Sequence, residues 1–221
     1  MTTVLITGAG TGLGRELSLE YARIGYTVIL SGRNEETLLR VQKEIQSNGK
    51  KAYAFSLDIT NYDELNSKVK HIVEEHNVQI LINNAGVGCF GSLTALQVDD
   101  INQCLMTNVN GTIYMTKVFL PYLLSVPNAK VLNIISTAGL KGKVDESVYV
   151  ASKYAIRGFT ESLQKEWEGS IVFKAVYMGG MDTPFWNHSD HITDKTRLKD
   201  PKTIAEKIVQ LDQEGVMEIV L

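Results

Sequence analysis

The sequence is poor in the features that mark special classes of protein. Its 221 residues include two cysteines, Cys89 and Cys104, and four prolines. Two thiols make neither a disulfide framework nor a zinc spacing, and they read as reduced thiols of a cytoplasmic protein. No apolar run approaches the ~18 residues of a membrane span. Met1-Thr2-Thr3 passes straight into Val4-Leu5-Ile6, with no basic or apolar leader between. Neither charge is in excess: 22 basic residues face 25 acidic ones, for a net of -3. Nothing in that balance points to nucleic acid or to an anionic membrane surface. There is no linker, low-complexity tract or repeat. Hydrophobic residues at 44% and charged residues at 21% exclude disorder, collagen and coiled coil. A compact fold of this length buries about 70% of its unfolded surface. It needs no disulfide or metal to hold its core.

Short apolar runs recur along the chain at Val4–Ile6, Thr27–Leu30, Ala52–Phe55, Ile80–Ile82, Val131–Ile135, Ile171–Tyr177 and Met217–Val220. Most are continuous and several are β-branched, as expected of parallel strands buried on both faces. Between them lie apolar stripes at helical spacing: Leu13, Leu17, Tyr21, Ile24; then Leu38, Val41, Ile45; then Leu65, Val69, Ile72, Val73. Asn34 and Asn61 read as helix starts, and Asn48-Gly49 as a stop. Two further long helices fall at roughly 97–124 and 149–167, whereas His71 and His76 are expected to face solvent. Strand and helix alternate throughout. The expected fold is one α/β domain over residues 1–221, a doubly wound parallel sheet of about seven strands with helices on both faces. Ligands in such sheets lie beyond the C-terminal strand ends.

The first strand end carries Thr7-Gly-Ala-Gly-Thr-Gly-Leu-Gly14. Gly8, Gly12 and Gly14 permit a tight turn and close approach of backbone to a pyrophosphate at the helix start. The second strand ends in Ser31-Gly32-Arg33. A carboxylate near this point would suit a ribose 2′-hydroxyl. Gly32 removes it, and the planar guanidinium of Arg33 suits a 2′-phosphate. That favours NADP(H), with NAD(H) as the lesser option.

Tyr149 and Lys153 stand four apart, on one face of a helix. A phenol at its ordinary pKa of about 10 is a poor proton shuttle near neutrality. A cation about 4 Å away, at an effective dielectric of about 20, favours the phenolate by ~4 kcal/mol, or about three pKa units. Ser136 follows the strand Val131–Ile135, where its hydroxyl can hold a carbonyl or alcohol oxygen. It lacks the turn and the partner histidine of a hydrolytic nucleophile. His188-x-x-His191 is a weak metal pattern without a third ligand, so no metal site is expected.

Taken together, Thr7 to Gly14, Asp58, Asn83-Asn84-Ala85-Gly86, Asn108, Ser136 and Tyr149-x-x-x-Lys153 resemble the short-chain dehydrogenase/reductase family over nearly the whole chain. The resemblance implies that Asp58 meets an adenine and that Asn84, Ala85 and Gly86 wall the adenosine ribose. Thr11, Leu13, Ile59, Tyr149, Gly179 and Met181 join the cofactor set, and Thr183 holds the nicotinamide carboxamide. Met178 stands where the family usually has proline. Lys153 is expected to bind the nicotinamide ribose and lower the Tyr149 pKa. Asn108 is expected to maintain a proton relay. The implied reaction is hydride transfer between nicotinamide and a carbonyl or secondary alcohol, with Tyr149 as general acid and Ser136 orienting the oxygen. The substrate pocket is expected around Val87–Gly91, Thr137–Val148 and a loop at about 184–200. Cys89, Phe90, Leu140, Val144, Phe185 and Trp186 would line it, with Lys141 and Lys143 near. A homodimer or homotetramer is implied in the same way. The competing readings are a nucleotide sensor or scaffold without catalysis and, more distantly, a nucleotide-sugar epimerase.

Overall fold

The computed structural model describes residues 2–187, 189, 191–192 and 194–221. Seven strands form one sheet: β1 (Thr3–Thr7), β2 (Thr27–Gly32), β3 (Ala52–Ser56), β4 (Val78–Asn83), β5 (Lys130–Ile134), β6 (Val172–Tyr177) and β7 (Glu218–Val220). Their order is β3-β2-β1-β4-β5-β6-β7, and every neighbouring pair is parallel. Seven helices connect and flank them: α1 (Gly12–Arg23), α2 (Glu35–Ser47), α3 (Tyr62–Glu75), α4 (Val98–Leu105), α5 (Thr112–Leu123), α6 (Ser147–Glu166) and α7 (Pro201–Gln213). Among the described residues no helix is long and apolar enough to cross a membrane.

The pleat sends successive strand side chains to opposite faces. Val4, Ile6, Val28, Leu30, Ile80 and Ile82 pack with Leu17 of α1, Leu38 of α2 and Ile208 of α7. Leu5, Ile29, Leu81, Val131 and Phe173 pack on the other side with Leu65 of α3, Phe119 of α5 and Leu163 of α6. Both faces are therefore covered, which explains why the strands read as unbroken apolar runs. Each leucine or isoleucine withdrawn from water in this way contributes about 1.5–3 kcal/mol. The cap readings hold locally. Asn34 accepts from Thr37 N at 3.2 Å, and Asn61 from Glu64 N at 3.3 Å. Gly49 takes the left-handed φ of +70° beyond α2.

Two local expectations change. The helix expected across 97–124 is not uniform, because a π-helical segment, Met106–Gly111, separates α4 from α5. Insertions of this kind reorient a side chain that regular α geometry would point elsewhere. His71 is exposed, but His76 packs its ring 4.4 Å from that of Tyr53, and burial lowers its pKa.

Strand order reverses direction between β1 and β4. That switch point opens a crevice at the C-terminal strand ends, where the functional residues gather.

Candidate active site

The turn after β1 is shaped by its glycines. Gly8 and Gly12 adopt φ of +66° and +52°, which L side chains rarely tolerate. A Cβ on Gly14 would sit 2.1 Å from the Gly8 carbonyl oxygen. Thr11 caps α1 in extended conformation without a side-chain hydrogen bond to the helix. The first N–H groups of α1 are thus free of a side-chain cap and can receive an anion. Thr7, which sequence reasoning did not single out, holds the neighbouring turn in place. Its hydroxyl accepts from Asn84 N and Ala85 N, each at 3.0 Å. Asn84 Nδ2 in turn donates to the Thr7 carbonyl at 2.8 Å. The sequence signal for Thr7 is that it opens the glycine-rich motif, at the last position of β1.

A cleft of about 650 Å³ runs across these strand ends. All sixteen residues anticipated for the cofactor line it, from Gly8 through Arg33, Asp58 and Asn84 to Thr183. Arg33 is exposed on its rim. Asp58 accepts from Thr60 N at 2.9 Å, and Thr183 packs against Gly12. Met178, in the place of the family's proline, accepts from Thr137 N at 3.0 Å.

Ser136, Tyr149 and Lys153 meet in the same cleft. Ser136 follows β5 with φ +128° and ψ 154°, a region occupied almost only by glycine. Its neighbours hold it there: Ile135 N donates to Val176 O at 2.7 Å and Thr137 N to Met178 O. Tyr149 and Lys153 lie on the first turns of α6, at 7% and 6% exposure. The Lys153 Nζ lies 5.6 Å from the Tyr149 ring centre and donates to the Ile134 carbonyl at 3.2 Å. Burial pushes the Tyr149 phenol well up; the Ser136 hydroxyl pulls it down and the Glu146 charge pushes it further up. Burial pushes Lys153 down to about 8. The expected lowering of the phenol by Lys153 is therefore not found. Dehydration of the phenolate is the largest effect, and the net direction is up.

Asn108 is the one anticipated catalytic residue that does not line the cleft. The π segment turns its side chain toward the loop after β4. There Oδ1 accepts from Val87 N at 2.8 Å, and Nδ2 donates to Val87 O at 2.9 Å and Ser152 Oγ at 3.1 Å. It fixes the cleft wall at Gly86 and Val87.

The substrate end is partly as expected. Val87, Lys143, Phe185 and Trp186 line the cleft, while Cys89 and Phe90 line an adjoining cavity of about 720 Å³. Leu140, Lys141 and Val144 line neither cavity; Val144 is 84% exposed. The loop turns outward there, with Asp145 at φ +57°. Glu146 and His191, which fall within the expected pocket loops though not among the lining residues named, do line the cleft. His188 lies outside the described residues, and among those described no three His, Cys, Asp or Glu side chains cluster to hold a metal.

Comparison with known proteins agrees with this architecture. The chain is 30% identical to a sepiapterin reductase of Chlorobaculum tepidum over 94% of its length and 88% of that protein. An alcohol dehydrogenase from Thermococcus sibiricus, complexed with 5-hydroxy-NADP, superposes with a TM-score of 0.92 at 25% identity, covering 100% of this chain and 96% of that one. A short-chain dehydrogenase from Escherichia coli CFT073, complexed with NADPH, does so with 0.91 at 28%, covering 99% and 95%. The sequence profile of the short chain dehydrogenases matches residues 2–193, and the chain belongs to that family of oxidoreductases.

Proposed function

We propose that this protein transfers a hydride between NADP(H) and a carbonyl or secondary alcohol, with Tyr149 as the general acid in the reducing direction. The observation that carries the reading is the burial of Ser136, Tyr149 and Lys153 together in the cleft that the glycine turn opens into. The residues fit a dinucleotide. Gly8, Gly12 and Gly14 leave room for a pyrophosphate, the uncapped start of α1 receives its charge, and Asp58 and Thr183 line the same cleft. Arg33, on the rim, suits a 2′-phosphate, and the NADP and NADPH complexes of similar proteins agree with that choice. NAD(H) is the lesser option.

When bound, the nicotinamide supplies the hydride. The chain does the rest. Ser136 holds the substrate oxygen. Tyr149, kept protonated by burial, gives that oxygen its proton. Lys153 replenishes the phenol and anchors ribose hydroxyls. Asn108 holds the Val87 wall against which these groups are aligned. We read the exposed Val98, Leu105 and Met106 as a contact between copies in a homodimer or homotetramer acting in the cytoplasm.

The test is loss of NADPH absorbance with a panel of ketones, aldehydes, diketones and quinones, Tyr149→Phe run beside wild type. Turnover that vanishes in the variant while NADPH affinity persists supports the reading. Tight NADPH binding with no turnover on any substrate would turn it toward a nucleotide sensor.

A further inference from the structure

Glu146 stands three residues before Tyr149, at the start of α6, and is only 6% exposed. Its Oε1 accepts from His191 Nε2 at 3.1 Å, and its Oε2 lies 3.7 Å from Lys143 Nζ. His191 comes from the 184–200 loop, so the contact joins two segments 45 residues apart. The His191 ring also lies flat on Phe90, with centroids 4.7 Å apart and planes 8° from parallel. A ring held on its face by one group and at its edge by another is restrained in both position and orientation. Phe90 is itself fixed. Gly91 N donates to Asp145 O at 2.7 Å, and the Phe90 ring packs 5.3 Å from Tyr149 and 5.0 Å from Trp186. Trp186 donates its indole N–H to Met181 O at 2.9 Å.

We propose that Glu146 is a positioning residue: it pins His191 on Phe90, and so holds His191 with Phe185 and Trp186 as the aromatic wall of the substrate space in front of Tyr149. The assignment rests on the reading above that this cleft is the reaction site. Glu146 positions through His191 and Phe90, beside its direct charge effect on Tyr149, and the space it shapes takes the flank of the substrate. A buried carboxylate suits this task because a hydrogen bond to a charged acceptor is stronger than one between neutral groups. Its sequence signal is slight, since the partners are distant in the chain and neither belongs to a family motif.

The experiment uses Glu146→Ala, Glu146→Gln, His191→Ala and the double variant Glu146→Ala/His191→Ala, with two readouts. The first is the rate of tryptic cleavage after Lys195 and Arg197, exposed residues of the loop. Cleavage accelerates about tenfold in either alanine variant, within the range expected for losing a hydrogen bond to a charged group, and no further in the double. Glu146→Gln keeps an oxygen acceptor but loses its charge, so its rate falls between wild type and the alanine variants. The second readout is steady-state reduction: the carbonyl substrate's KM rises about tenfold in the alanine variants while the KM for NADPH is unchanged. Wild-type cleavage rates in Glu146→Ala, effects that multiply in the double variant, or a rise in KM for NADPH alone would each overturn the proposal. The proteolysis readout needs no turnover. A wild-type protein without reductase activity would therefore sink the functional reading while the cleavage rates still judged the contact.

Discussion

The ammonium of Lys153 lies 5.6 Å from the centre of the Tyr149 ring, and burial drives the two groups in opposite directions: the phenol up, the ammonium down to about 8. The lysine therefore costs the fold stability. Its folded pKa lies below its ordinary 10.5, so the unfolded chain binds the proton more tightly. The cost is fully present below pH 8 and fades as pH rises from there toward 10.5. Lys153→Met should abolish turnover yet raise stability at pH 7 by about 2–3 kcal/mol, the proton term less one lost hydrogen bond. The gain should shrink steadily between pH 8 and 10.5. Melting temperatures of both proteins across that range check it, and a variant less stable than wild type at pH 7 would contradict it.

Ser136 gives a second case of strain kept where chemistry is done. Its φ of +128° places a side chain in a region that costs of order 1–3 kcal/mol for any residue but glycine. Its hydroxyl accepts from Ala138 N at 3.1 Å, fixing the oxygen's direction into the cleft. Ser136→Gly relieves the strain, whereas Ser136→Ala keeps it and loses the bond. Both should lose turnover by about 100-fold, the scale of a removed oxyanion donor. The glycine variant should melt a few degrees above the alanine variant, since ~1 kcal/mol moves Tm by about 2–4 °C in a chain of this size. The reverse order of melting would show that the backbone is at ease there.

How much of this was legible in the chain depends on distance along it. The strands, the caps at Asn34 and Asn61 and the glycine turn are local, and each stands where its residues put it. The cleft-lining set was readable because strand ends converge in any parallel sheet. What was not legible is tertiary. The π segment at Met106–Gly111 interrupts a helix without any break in composition, and it turns Asn108 from the cleft toward Val87. The sign of the Tyr149 shift follows from burial, which spacing on a helix cannot report. Val144 points to solvent because Asp145 takes a left-handed turn, with no glycine to announce it.

The proposed preference for NADP(H) rests on one side chain, Arg33. It sits exposed at the rim just beyond β2, with Gly32 in place of any carboxylate. Arg33→Ala should raise the KM for NADPH by about tenfold or more, the worth of a charge-assisted contact, and leave the KM for NADH within about twofold. The wild-type preference should weaken with added salt, because the contact is exposed. Equal affinities for the two cofactors in wild type, or a parallel loss for both in the variant, would remove Arg33 from that role.

Away from the cleft, Asp212 of α7 holds a charge cluster inside the protein. Its fully buried carboxylate lies 2.6 Å from Lys130 Nζ and 2.9 Å from Lys174 Nζ, and it accepts from the Tyr21 hydroxyl at 2.9 Å. Burial alone would push the carboxyl up, but the two ammoniums outweigh it and hold it below its ordinary 3.8. A carboxyl held low stabilises the fold above its unfolded pKa and loses that contribution as pH falls through the folded value. Wild type should therefore lose stability steeply below about pH 4. Asp212→Asn keeps the shape and removes the charge, leaving Lys174, 3% exposed, without its counter-ion. The expected loss is about 3–5 kcal/mol at neutral pH, with a flatter acid limb than wild type. Because Tyr21, Lys130 and Lys174, the partners of Asp212, line no part of the cleft, kcat at 25 °C should stay within about twofold of wild type. Urea unfolding at pH 7 and pH 4 measures the first, and a variant as stable as wild type would mean that the lysines find other partners.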